Sequence, residues 1–177
     1  MKKPLFILVA FLFFSCSEGE LAFNPVNSSP SISSVQTFGG SRNDSGRSII
    51  TTSDGGFAIL GFTQSMDGDI ADKTEESFDF WLLKFDENAN LMWNRTYGSL
   101  GDDRGRDLIQ TQDGGYAILG YSDASSGDVS VNNGSRDFWL AKVNTNGDLV
   151  WQQSYGFSGA DEGTRLIETN DNYLLIS

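Results

Sequence analysis

The sequence predicts an all-β chain of tandem four-stranded antiparallel units, and three observations carry that prediction. Landmarks recur in order: Thr37-Phe38-Gly39 returns as Thr96-Tyr97-Gly98 and as Ser154-Tyr155-Gly156, at spacings of 59 and 58 residues. Asp54-Gly55-Gly56-Phe57-Ala58-Ile59-Leu60-Gly61 returns as Asp113-Gly114-Gly115-Tyr116-Ala117-Ile118-Leu119-Gly120, and Asp79-Phe80-Trp81-Leu82 as Asp137-Phe138-Trp139-Leu140. Between the landmarks lie short β-branched and aromatic runs bounded by turn residues, the pattern of strands. No long helical period competes with them.

Within the first unit the strands are expected in order. The first is 47–52, rich in β-branched Ile49, Ile50, Thr51 and Thr52. Ser53-Asp54-Gly55-Gly56 is a turn, because glycine takes positive φ without steric cost. The second strand, 57–62, is almost wholly apolar, as expected of a strand covered on both faces. A polar loop over 63–77 leads to the third strand, 80–85, and a turn at 86–90 to the fourth, 91–97. The corresponding turn of the second unit is Asn144-Thr145-Asn146-Gly147-Asp148. Ala89 replaces Gly147 at the matching place, which predicts a less comfortable turn in the first unit.

Four-stranded units of this length, each with an aromatic and a glycine landmark, read as β-propeller-like blades. The run Asp-Gly-Gly-Tyr, then Asp-Phe-Trp, then Asn-Gly-x-x-x-Trp, then Tyr-Gly resembles propeller-like repeats common in exported proteins of Bacteroidetes. The resemblance covers 37–177 and implies a fold and an exported setting, with no single activity. Asn146-Gly147-Asp148-Leu149-Val150-Trp151 also resembles the Gly-x-x-x-Trp docking motif of quinoprotein propellers, where the Trp locks neighbouring blades. It implies a packing role for Trp93 and Trp151. Trp81 and Trp139, inside the recurring third strand, are assigned to blade packing as well.

The expected organisation starts with a signal peptide over 1–15. Lys2 and Lys3 precede an apolar run at 5–14, too short to span a bilayer as a helix. Phe14-Ser15-Cys16-Ser17 resembles the lipobox of bacterial lipoproteins, with Phe13 where that family usually has Leu. The resemblance implies cleavage before Cys16 and its acylation, which would anchor the chain at the outer membrane or cell surface. Glu18 and Glu20 are similar to the surface-export signal of Bacteroidetes lipoproteins, and equally to a solvated acidic linker. Residues 16–31 are the lipidated Cys and a flexible tether. Residues 32–177 hold the repeats: a lone strand at 32–38, blades at 39–97 and 98–155, and a partial blade at 156–177.

The partial blade is expected to have a first strand at 164–169 and a second at 173–176, with Asn172 standing for Gly-Gly after a one-residue deletion. Residues 37–177 thus make about 2.4 units, fewer than the roughly four to eight blades that close a ring. The array is therefore expected to be incomplete, a fragment or a prematurely ended relative of a longer protein, with a short open stack of sheets, stable alone or as an oligomer, as the alternative.

Composition excludes several functions. The chain has no His and one Cys, so it has no Ser-His-Asp relay, no internal disulfide and no multi-Cys zinc site. A net charge of −12, or −14 once residues 1–15 with their two lysines are removed, argues against nucleic acid as a partner. Asp67, Asp69, Asp72 and Asp128 in the loops are weak candidates for a hard cation such as calcium. Asp44, Asp103 and Asp161 recur once per unit and are expected to hold turns. Asp79 and Asp137 are expected to cap loops, and Lys84 and Lys142 to be charge partners or rim residues. Asp102–Asp103 and Asp161–Glu162 are weak candidates for a glycosidase carboxylate pair. No catalytic residue and no cofactor emerges. The reading is a membrane-anchored interaction module with a glycan or protein ligand. The alternative is part of a carbohydrate-active enzyme whose catalytic residues lie outside this sequence.

Overall fold

The computed structural model describes residues 35–171 and 174–177. Cys16, the apolar run at 5–14 and the tether at 16–31 lie outside the described residues. Ten strands follow in order: β1 (Asp44–Thr51), β2 (Phe57–Thr63), β3 (Asp79–Phe85), β4 (Leu91–Tyr97), β5 (Asp103–Gln110), β6 (Tyr116–Ser122), β7 (Asp137–Val143), β8 (Leu149–Tyr155), β9 (Leu166–Glu168) and β10 (Leu174–Ile176). They form one four-stranded sheet in the order β1-β2-β3-β4, a second in the order β5-β6-β7-β8, and a two-stranded β9-β10 sheet, all antiparallel. No helix occurs among the described residues.

The two large sheets share one register. Gly61 stands opposite Trp81 and Gly120 opposite Trp139. The first strands run three residues further back than their β-branched stretch suggests. Each contains a β-bulge, at Arg47 in β1 and Arg106 in β5, which lets pairing continue to Asp44 and Asp103.

The inner strands are covered on both faces, and every residue of β3 and β6 is buried. One cluster joins Leu60, Phe80 and Leu82 of the first sheet to Ile118, Trp139 and Val143 of the second. A second cluster lies on the other face of the first sheet, around Trp81, Leu83 and Phe85, with Phe38 against them. A third joins Ala117, Leu119 and Leu140 of the second sheet to Leu166, Leu174 and Ile176. Each fully buried Leu, Ile or Phe in such a cluster contributes about 1.5–3 kcal/mol.

Three expectations are corrected. Of the lone strand expected at 32–38, the described residues 35–38 belong to no strand. Phe38 instead lodges its ring edge-on to Phe85, 5.0 Å away. The one-residue deletion in the partial repeat also disappears. Leu174 stands opposite Glu168 just as Tyr116 stands opposite Gln110, so Leu174 takes the place of Tyr116 at an offset of 58. The first strand of that repeat, expected over 164–169, shortens to Leu166–Glu168.

The turn expectation holds. Ala89 has φ 63°, the same left-handed conformation as Gly147 at φ 84°. Ala pays a Cβ clash there that Gly avoids. Ala89→Gly is expected to stabilise the fold by about 1 kcal/mol, read as a higher urea midpoint at unchanged slope. Gly147→Ala is expected to lower it by more, because the added carbon would also stand 3.0 Å from Trp93 Cζ3.

Candidate functional site

The residues singled out by repetition converge on the junctions between consecutive sheets. β5 lies against β1, β2 and β3, and β9 against β5 and β6. Side chains of each first strand reach back to the preceding repeat. Gln110 Oε1 accepts the Ser53 amide at 2.8 Å, and Glu168 Oε2 accepts the Gln112 amide at 2.9 Å. Ser48 Oγ donates to Asp107 Oδ1, and the Leu166 amide donates to Asp107 Oδ2, so Asp107 ties three consecutive first strands together. Main-chain bonds repeat as well, from Asp103 N to Phe78 O and from Asp161 N to Arg136 O.

The tryptophans divide by position. Trp139 is wholly buried and meets Phe80 of the preceding sheet edge-on at 4.7 Å. Trp81, its counterpart, is 4% exposed and packs within the cluster on the far face of the first sheet. Both indoles donate at comparable geometry, to Asn94 and Gln152 respectively. Trp93 packs edge-on to Tyr116 of the next sheet and lies under Gly147. Beside it the Tyr97 hydroxyl donates to the Gly147 carbonyl at 2.6 Å. Trp151 departs from this: it is 40% exposed, and no counterpart of Gly147 covers it among the described residues.

The recurring acids hold backbone. Asp44 Oδ2 accepts the Gly40 amide, Asp103 Oδ2 the Ser99 amide and Asp161 Oδ2 the Phe157 amide. Lys84 pairs with Asp54 at 2.8 Å and Lys142 with Asp113 at 3.0 Å. The Lys84 and Thr52 hydrogen bonds bring Asp54 down to about 2; Thr111 and Lys142 do the same for Asp113. Asp137 Oδ2 caps its loop at the Asn133 amide, while its buried Oδ1 has no partner among the described residues. Asp79 is held by Lys73 at 2.9 Å, a buried pair absent from the second repeat, where the offset of 59 that matches Asp69 to Asp128 puts Asn132 in the lysine's place.

The cation candidates are also spent on amides. Asp69 accepts from Gly39 and Asp128 from Gly98, in the same geometry. Asp67 accepts from Ser41, and Ser126, its counterpart, accepts from Leu100. A serine hydroxyl thus does in one repeat what a carboxylate does in the other, as hydrogen-bond acceptors can and calcium ligands of different charge cannot equally. Asp72 accepts from Thr96. Asp72 and Asp128 do meet across a cavity of about 200 Å³ that Asp79 and Glu75 also line. No group of three or more such ligands with metal-holding geometry occurs among the described residues.

The two carboxylate pairs do not act as pairs. Asp102 bonds Arg104 at 3.1 Å while Asp103 points into the buried junction. Asp161 caps its loop while Glu162 bridges Arg106 and Arg136.

Sequence reading missed the arginines. Arg47 and Arg106, aimed by the bulges, lie over Phe62 and Tyr121. At the first junction Arg104 stacks on Phe78 at 4.1 Å. At the second junction the matching pair is Glu162 with Arg136, an ion pair of 2.7 Å. The signal was present: positions 78/104 and 136/162 change together between repeats, from aromatic and cation to cation and anion.

Two pockets of about 500 Å³ adjoin along the exposed side of the second sheet. Leu140, Tyr155 and Leu174 line both. Trp151, Lys142 and Asp113 line one end; Phe157 and Ile176 line the other. Tyr155 is 47% exposed and Phe157 84%.

No protein-family model matches the chain, and no curated protein matches it.

Burial pushes Asp103 up to about 7, against the pull of Ser122 and Ser99 and with help from Asp79. The folded chain therefore holds this proton more tightly than the unfolded chain, whose carboxyls titrate near about 4. The corresponding stability is complete below about pH 4 and is lost as pH rises through about 7. Thermal midpoints are expected to fall between about pH 5 and 8, and Asp103→Asn to flatten that fall. Tyr97→Phe removes the bond to the Gly147 carbonyl and is expected to cost about 1 kcal/mol in a denaturant titration.

Proposed function

We propose that the chain is an exported, lipid-anchored protein whose sheets are blades of a β-propeller-like array, and that it works as an interaction module. The observation that carries the reading is the division of labour among its side chains. Buried aromatics hold sheet to sheet, the repeated lysines and their acids tie turns within a sheet, and the repeated Asp44, Asp103 and Asp161 hold connecting segments, whereas Trp151, Tyr155 and Phe157 stand exposed along one groove. Exposed aromatic area concentrated in a groove is the mark of a binding surface. The groove runs beside β10, whose one paired neighbour among the described residues is β9, so a protein partner fits it better than a glycan.

Cys16 supplies the anchor in this reading, with membrane as the second partner. Several acyl chains on one residue hold a protein at a bilayer stably. No helix among the described residues is long and apolar enough to cross a membrane.

The test has two arms in a bacterial host. The chain is expected to incorporate a clickable palmitate analogue and to partition with membranes, and Cys16→Ser to lose the label and appear in the soluble fraction. An unlabelled chain would overturn the anchor. Turnover of a polysaccharide, abolished by changing a single acid, would overturn the interaction module in favour of an enzyme.

A further inference from the structure

We infer that the groove beside β10 binds a two-stranded β-hairpin of this chain's own repeat type, which adds to the edge of β10 as a third and fourth strand. The inference rests on the blade reading above and not on the lipid anchor.

The first junction shows what fills the equivalent space. There, the surface made by Leu82, Trp93, Tyr97 and Tyr116 is covered by the β7–β8 hairpin: Trp139 and Ala141 are wholly buried, and Gly147 at the hairpin turn sits on Trp93. The constant offset of 58 maps that surface onto Leu140, Trp151, Tyr155 and Leu174, the residues that line the groove. The ion pair at its end repeats too, Lys84–Asp54 against Lys142–Asp113. The second junction thus presents the docking surface of the first, with the first two strands of the incoming sheet in place as β9 and β10. An edge strand beside an apolar face is the receiving end of β-strand addition: main-chain bonds give affinity and alternate side chains give specificity. The occupant needs a large aromatic at the Trp139 position, to meet Phe138 as Trp139 meets Phe80, and a glycine at the turn, to lie on Trp151 and accept the Tyr155 hydroxyl.

The test uses the full chain and a synthetic peptide of residues 135–156. The peptide is expected to slow amide exchange across residues 174–177 by about tenfold or more. Trp139→Ala in the peptide, or Trp151→Ala in the chain, is expected to abolish the effect. A peptide can fail for want of its own structure, so a second protein carries a copy of residues 120–155 joined directly after Ser177, which continues the repeat in register. That protein is expected to show the same protection and a higher thermal midpoint. Unchanged exchange in both cases, or equal protection by the Trp139→Ala peptide, overturns the inference. Protection that grows with concentration of the chain alone overturns it in favour of a second whole copy. Glycan binding lost in Trp151→Ala overturns it in favour of a saccharide. In each of these cases the Cys16 labelling result stands unaffected, so failure here is distinct from failure of the anchor.

Discussion

A four-stranded sheet that is apolar on both faces cannot stand alone in water, and the rest of this structure follows from that constraint. β2, β3, β6 and β7 are buried nearly throughout. Strands of that kind are stable only when something apolar lies on either side. In this chain the next repeat supplies the cover: Trp139 and Val143 lie over Leu60 and Leu82, and Leu166 and Leu174 lie over Leu140. Polar chemistry is arranged around that stacking. Carboxylates hold the amides of the connecting segments, and bulged arginines lie over aromatic rings, so the loops that join the sheets keep few buried groups unpaired.

Much of this was legible in the sequence because repetition exposes it. β4 was bounded at both ends by Leu91 and Tyr97, and β2 and β3 to within one residue, because glycine turns and the Trp landmarks frame them. Recurrence of Asp44, Asp103 and Asp161 marked them as turn holders before any contact was known. The first strands were harder. Arg47 and the glycine before it break the β-branched pattern, and a bulge that continues pairing through them leaves no periodic trace. Position 173 was misaligned because Tyr173 imitates Tyr116, while the pairing partner that decides the register, Glu168, lies on another strand.

The site was less legible than the fold. Acids in loops suggested a cation, but whether a carboxylate faces an ion or an amide depends on segments some 25 residues apart in the chain, as Asp67 and Ser41 are. Trp93 and Trp151 hold the same place in their repeats, and Trp151 even keeps the motif glycine that Trp93 lacks, yet it is Trp93 that a neighbour covers. Such a difference belongs to assembly and not to local sequence.

The two junctions occupy the same place with different chemistry: Phe78 with Arg104 in one, Arg136 with Glu162 in the other. Near-identical modules carry a danger, since any one of them offers an apolar face that fits any other. Here a wrong neighbour meets a penalty. Phe78 set against Glu162 would strand a carboxylate on a benzene ring, and Arg136 set against Arg104 would bring two cations together. This pair of positions thereby disfavours a wrong order of repeats along the stack, as a lock whose key changes from one door to the next.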